Sequence, residues 1–424
     1  MRNMFYKHYA PLALGDQRVC QQYKVLPRFR SWRPAHTGND KILTGGTAAR
    51  RTKRDMTKDF ISSPLFDRVE RARRRKQKFK DTRITLAHGG GGKAMRDLIE
   101  GLFLDYLRNP LLESLEDQAV FEIGAGGQNA RLAFTTDSYV VTPIFFPGGD
   151  IGKLAVNGTV NDLAMSGARP LYLSAGFILE EGLPVEDLKR ILQSMRMAAE
   201  EAGVDIVTGD TKVVQRGGAD KIFINTSGVG VIESPVRISA SRARVGDKVV
   251  LSGPIGDHGT TIMIARGELG LETEIESDTA SLYPLVREIL DVAARLQAEE
   301  SIHCLRDPTR GGVATTLNEI ALDSEVCVQL DEAQIPAREE VKGACEILGL
   351  DPLYMANEGK MIAVVAAEIA DAVVAGLRKY PNGRDACVIG EVKAEPRGMV
   401  VLETCFGGTR IVDMLVSEQA PRIC

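Results

Sequence analysis

The 424-residue chain is 44% hydrophobic and 26% charged with a formal net charge of −4, a globular composition long enough for two cores of usual size and unlike a small stapled scaffold. No run approaches the about 18 consecutive apolar residues of a spanning helix, and the first thirty residues lack the apolar centre of a secretory signal, so the expectation is a soluble, cytoplasmic protein without membrane association. Seven cysteines with no CxxC pair predict reduced thiols, and five histidines with no HxxH or HxxxH spacing leave oxygen ligands for any metal.

In chain order, residues 1 to 80 carry 21 Lys and Arg against 6 Asp and Glu, and the remainder carries 32 against 51. Residues 1–55 have no sustained apolar period and read as a disordered extension, with Met56 as an alternative start. The run RARRRKQKFK (71–80) reads as a solvated basic arm; nucleic-acid contact is the weaker reading, because interleaved aromatics are missing. A helix is predicted over 94–107. Strands rich in Val, Ile, Thr and Phe are predicted at RLAFTTDSYVV (131–141), DIVTGDTKVV (205–214) and KIFINTSGVGVI (221–232). A further helix runs from Pro184 to Ala202, with Leu188, Ile191, Leu192, Met195, Ala199 and Ala202 at helical spacing and Gly203 just past its end. The apolar pattern lapses between about 234 and 246, predicting one α/β domain over 81–234 and a second over 246–413. The last predicted elements are strands in MVVLET and GGTRIVDML, after which 414–424 reads as a mobile tail ending in Cys424.

Several segments carry chemistry. AHGGGGK (87–93) puts His88 and Gly89, Gly90, Gly91 and Gly92 between a predicted strand and a helix, a phosphate-loop pattern without the Ser or Thr of a Walker A motif; a plain glycine turn is the alternative. In PGGDIGKLAVNGTVNDLAMSGARP, Asp150 can cap a helix, Asn157 and Asn161 share a face, and Gly158 leaves space one turn before Asp162 for a metal-bound phosphate. A merely polar helix surface is the competing reading. Asp137, Asp210 and Asp307 each follow a strand-like run, so these acids can converge; convergence of Asp137, Asp162 and Asp307 would hold magnesium and ATP without a P-loop. Thr211 lies beside Asp210. Lys212 in GDTKVV can neutralise transferred phosphate and Glu358 in MANEGK can move a proton, with a surface ion pair as the alternative for each. Cys424 is too close to the end for a prenylation box, which needs four residues.

Together, AHGGGG, TTDSYVVTPIFFPGGDIGKLAVNGTVNDLAMSGA, GDTKVV, DPTRGG, NEGK and PRIC resemble, over residues 82–424, the HypE family of carbamoyl dehydratases from nickel-iron hydrogenase maturation. The resemblance implies a PurM-like α/β architecture of two domains, the N-terminal sheet forming a homodimer interface and ATP bound near the domain junction. It implies that Cys424 accepts a carbamoyl group from a HypF-type carbamoyltransferase. ATP-dependent dehydration then makes a thiocyanate, and the cyano group passes to iron on a HypC–HypD scaffold. By resemblance Cys424, Lys212 and Glu358 are catalytic, and Asp137 and Asp162 hold Mg2+. His88, Gly89–Gly92, Asp150, Asn157, Asn161, Asp210, Thr211 and Asp307 contact the nucleotide. Another PurM-like synthetase or kinase, of the selenophosphate synthetase or thiamine-phosphate kinase type, is the alternative; it would not depend on the last residue.

Overall fold

In the computed structural model the described residues are 79–125, 128–267, 273–416 and 423–424. The predicted extension, the alternative start and most of the basic run therefore lie outside them. Among the described residues no helix is long and apolar enough to cross a membrane.

The chain enters through a 3-10 turn, Leu86–Gly89, where a strand was expected. The Thr85 N–H donates to Nδ1 of His88 at 2.9 Å and closes the turn locally. The predicted helix follows as α1 (Lys93–Leu98), one π turn (Ile99–Phe103) and α2 (Leu104–Leu107).

Seven strands come next in the first half: β1 (Ala119–Ala125), β2 (Gln128–Tyr139), the short pair β3 (Phe145–Phe146) and β4 (Gly149–Asp150), β5 (Arg169–Glu180), β6 (Asp205–Val214) and β7 (Ile222–Ile232). Five of them form one sheet in the order β1-β2-β7-β5-β6, antiparallel except where β5 meets β6. Helices α3 (Ile151–Met165) and α4 (Val185–Ala202) cover one face. Because strand side chains alternate, Ala133, Thr135, Asp137 and Tyr139 share the helix-covered face, whereas Phe134, Thr136 and Ser138 point away from it. In register, Asp210 lies level with Gly176, Asn225 and Ser138, on that uncovered side.

The second sheet is built from β8 (Lys248–Leu251), β9 (Ile302–Arg306), β10 (Cys327–Asp331), β11 (Ile362–Val365), β12 (Cys387–Lys393), β13 (Met399–Glu403) and β14 (Thr409–Val412), ordered β14-β13-β10-β12-β8-β11-β9. Lys248–Leu251 and Ile362–Val365 read as almost unbroken apolar runs because both faces are buried. Val249, Leu251, Ile362 and Val364 pack with α7 (Gly312–Asp323); Val250, Ala363 and Val365 pack with α6 (Tyr283–Arg295) and α9 (Ala367–Leu377). Helices α5 (Asp257–Ala265) and α8 (Glu339–Leu348) complete the second half.

Asn161 ties the two halves together. Its amide donates to the Ala280 carbonyl at 3.1 Å and its Oδ1 accepts the Leu282 N–H at 2.7 Å. The described ends of the late segment are buried: Met414 and Leu415 at one side, Ile423 and Cys424 at the other. Residues 417–422 lie outside the described residues.

Candidate active site

Four carboxyl groups lie close enough to feel one another's charge where the helix-covered face of the first sheet approaches the second half. Asp137 comes from β2, Asp162 from α3, Asp307 from the end of β9, and Asp117 from the segment before β1. Asp162 accepts the Thr135 hydroxyl at 2.8 Å. Burial, followed by the charges of Asp307, Asp137 and Asp117, pushes its carboxyl well above the usual range. Burial likewise drives Asp307 up to about 6, against the pull of Arg306. Arg306 is held by Asp117 at 2.8 Å and Glu319 at 3.0 Å. Like charges so placed favour either protons or a bound cation. Among the described residues no three His, Cys, Asp or Glu are gathered closely enough to form a ready-made metal shell.

Beside the acids lies a cavity of about 760 Å³. Its lining combines polar groups, Asp117, Thr135, Asp307 and Arg310, with Phe103, Leu107 and Leu111 from the segment around α2. Arg310 also reaches Asp137 at 4.0 Å and donates to the Gly89 carbonyl at 2.9 Å. Its guanidinium holds its proton more tightly than usual, because an ionised Cys424 thiol, Asp137 and Glu358 would each favour the cation against burial.

The Cys424 thiol is buried. Burial pushes it well above the usual thiol range, Arg310 opposes that, and Glu358 and Asp137 reinforce it. Glu358 is itself buried and raised, first by burial and then by Asp278, Asp307 and Asp137. Its position is set from behind. The Glu358 N–H donates to Asp278 at 3.1 Å, Lys360 pairs with Asp278 at 3.1 Å, and Asn357 clasps the Pro308 carbonyl at 2.8 Å. The NEGK and DPTRGG segments are thus fastened to each other.

The structure brings together Asp137, Asp162, Asp307, Glu358 and Cys424, and lines the cavity with Gly91 and Gly92. It corrects several other expectations. Gly158 leaves no phosphate space, because the Tyr139 hydroxyl fills it. Asp150, by contrast, does cap α3 as its place in the sequence suggests, accepting the Gly152 N–H at 2.7 Å. Both His88 nitrogens are engaged, Nδ1 with Thr85 at 2.9 Å and Nε2 with Asp81 at 3.0 Å. Asn161 is spent on the inter-half tie described above, and Asn157 is buried one turn before it. The helix-start amide at Lys93 donates to the Leu415 carbonyl at 2.7 Å, so it is not free for phosphate. Gly91 has φ +73, and a Cβ there would overlap Arg310, so this glycine serves both the turn and a close approach.

Lys212 and Asp210 are exposed and paired with each other on edge strand β6, with Thr211 between them. Within one chain they stand three strand spacings from Asp137, about 14 Å at about 4.8 Å each, and on the opposite face of the sheet. Residues that sequence reasoning missed are Asp117, Tyr139, His258, Asp278, Arg306 and Arg310. Arg310 had a signal, since it sits inside DPTRGG three residues after the acid already singled out.

Residues 115–232 match the family described as AIR synthase related protein, N-terminal domain, and 244–403 match its C-terminal domain. The chain is 55% identical over 341 residues, 80% of this chain and 97% of the relative, to the carbamoyl dehydratase HypE of Azotobacter vinelandii. It is similar to a crystal structure of HypE in complex with ATP, with 51% identity and a TM-score of 0.66 over 81% of this chain and all of the other. It is also similar to a HypE chain from a HypE–HypF complex, with 48% identity and a TM-score of 0.69 over 75% of this chain and 99% of that one.

Proposed function

Because the chain belongs to the carbamoyl dehydratase HypE family, we propose that it serves nickel-iron hydrogenase maturation by dehydrating an S-carbamoyl group on Cys424 to a thiocyanate, using ATP. A HypF-type carbamoyltransferase supplies the carbamoyl group, in keeping with the HypF complex of its relative. The cyano group then goes to iron on a HypC–HypD scaffold. Free cysteines throughout the described residues favour a reducing cytoplasmic compartment.

One observation carries this reading: Arg310 both lines the large cavity and is the cationic neighbour of the Cys424 thiol, so a nucleotide in the cavity and the terminal sulfur share one guanidinium. Hydroxide is too poor a leaving group for direct loss of water. The carbamoyl oxygen therefore attacks the γ-phosphorus of ATP, the bond to the β-phosphate oxygen breaks, and ADP departs. Both N–H protons are then removed while the C–O bond breaks, giving S–C≡N and inorganic phosphate. Arg310 offsets charge on the transferring phosphoryl group, the role expected of Lys212. Glu358, whose burial strengthens its ionised form as a base, takes a proton from nitrogen.

Magnesium fits the acid cluster. Asp137 and Asp162 would hold it with Asp307 nearby, since magnesium usually takes one or two carboxylates plus phosphates and needs no all-protein shell. When bound it offsets phosphate charge. A homodimer is also part of the reading: the uncovered sheet face exposes Phe134, Tyr172 and Ile178, and among the described residues no strand pairs with the outer side of edge strand β6. A second copy laid on this face would enclose Asp210 and Lys212 in the interface.

Intact-mass measurement with carbamoyl phosphate, ATP, magnesium and the partner transferase tests the proposal. The expected result is a gain equal to one carbamoyl group in place of the thiol hydrogen, then ATP-dependent loss of one water. Modification that persists in Cys424→Ala, or water loss without ATP, would overturn it. Asp162→Asn should stop at the carbamoyl adduct; normal turnover would refute the metal role.

A further inference from the structure

Next to Cys424, the Ile423 carbonyl accepts a hydrogen bond from Nε2 of His258 at 2.7 Å. The ring is fully buried near the start of α5. Its Nδ1 lies 2.8 Å from the Ser277 hydroxyl, and that hydroxyl oxygen also accepts the Thr279 N–H at 3.2 Å. A carbonyl can only accept, so Nε2 must carry the proton; Nδ1 of the neutral ring then accepts from Ser277. Phe146 packs edge-on against the ring, with centroids 5.6 Å apart. The Ile423 side chain joins Val141, Phe146 and Ile262 in the first core. One residue further on, the Val140 N–H donates to the main-chain oxygen of Cys424 at 3.2 Å.

We propose that His258 is a positioning residue for the acceptor cysteine: the ring, oriented by Ser277, holds the Ile423 carbonyl so that the thiol lies between Glu358 and Arg310. Its consequence for catalysis rests on the carbamoyl dehydratase reading; the contact itself does not. A buried Cys424 is out of a partner enzyme's reach, so the residue must be released to be carbamoylated and seated again to be dehydrated. A single neutral hydrogen bond from a buried donor suits that exchange. It biases the seated state by about tenfold without locking it, whereas an ion pair at the same depth would carry a heavy desolvation cost each way.

The test is the rate of Cys424 alkylation by iodoacetamide in the full chain, mapped by peptide mass, with buried Cys304 and exposed Cys405 as internal controls. Labelling needs the unseated state, so His258→Ala should raise the Cys424 rate about tenfold, with Cys304 still protected and Cys405 unchanged. His258→Gln, which offers an amide N–H near the position of Nε2, should return the rate toward that of the native protein. An unchanged Cys424 rate in His258→Ala overturns the proposal. So does exposure of Cys304 together with Cys424, which would mark general destabilisation, or a Gln variant as fast as Ala. Failure of the native chain to accept a carbamoyl group would refute the dehydratase reading and leave the labelling result standing.

Discussion

Glu358 is useful as a base because it is poorly solvated. Burial, with Asp278 and Asp307 close by, raises its proton affinity, so the ionised form is present only at higher pH than for an exposed glutamate and pulls harder on an N–H proton. Dehydration should therefore climb with pH along a limb displaced upward from the ordinary carboxylate range. Glu358→Gln should lower the rate by about 10²–10⁴, flatten that limb and let the carbamoyl adduct accumulate; single-turnover mass kinetics across pH would show it, and an unchanged rate would remove Glu358 from proton transfer. Asp307 adds a second dependence. Its carboxyl, pushed up to about 6, loses its charge as pH falls through that value, so magnesium-ATP should bind more weakly at pH 5 than at pH 7.5. Calorimetric titration at the two values checks this, and equal affinities would place Asp307 outside the metal's surroundings.

At the scale of elements, α3 and α8 show how one helical glycine can be required while another is merely tolerated. Gly158 faces the Tyr139 hydroxyl, and a methyl group there would overlap it. Gly158→Ala should cost about 1–3 kcal/mol through overpacking, despite the better helix propensity of alanine. Gly343 in α8 has open space around it, so Gly343→Ala should stabilise by about 0.5–1 kcal/mol. Denaturant unfolding of the pair would separate the two effects, and a stabilising shift in both would mean that α3 yields more than its packing suggests. The glycine loop before α1 follows the same logic. Gly92 allows the Leu415 main chain to approach closely, and the Lys93 N–H is bound to that segment. The pattern that reads as a phosphate cradle is, on this side, a seat for the chain's own late segment, while Gly91 and Gly92 still line the cavity.

For the whole molecule, the uncovered face of the first sheet is decisive. Ile178 is exposed there, away from the core, so Ile178→Lys should leave the folded chain intact but place a charge in a dimer interface. Light scattering should give twice the 46.1 kDa chain mass for the native protein and a single chain for the variant; a native protein at one chain mass would end the dimer reading. Much of this architecture was legible beforehand. The 3.6-residue spacing from Leu188 to Ala202 marks α4 almost to the residue, and the acids after strand-like runs include two that do converge, Asp137 and Asp307. Helical period, strand alternation and punctuation by Gly and Pro are properties of neighbouring residues, so the chain carries them locally. Which acid meets which base is not local. Asp137 and Asp210 look alike as acids on predicted strands, but Asp137 points toward α3 and Asp210 away from it, a difference that depends on which side of the sheet the helices cover. In the same way only the folded chain could bring Arg310, Glu358, His258 and Cys424 together. Their neighbourhood joins segments from both halves, and no spacing along the chain encodes it.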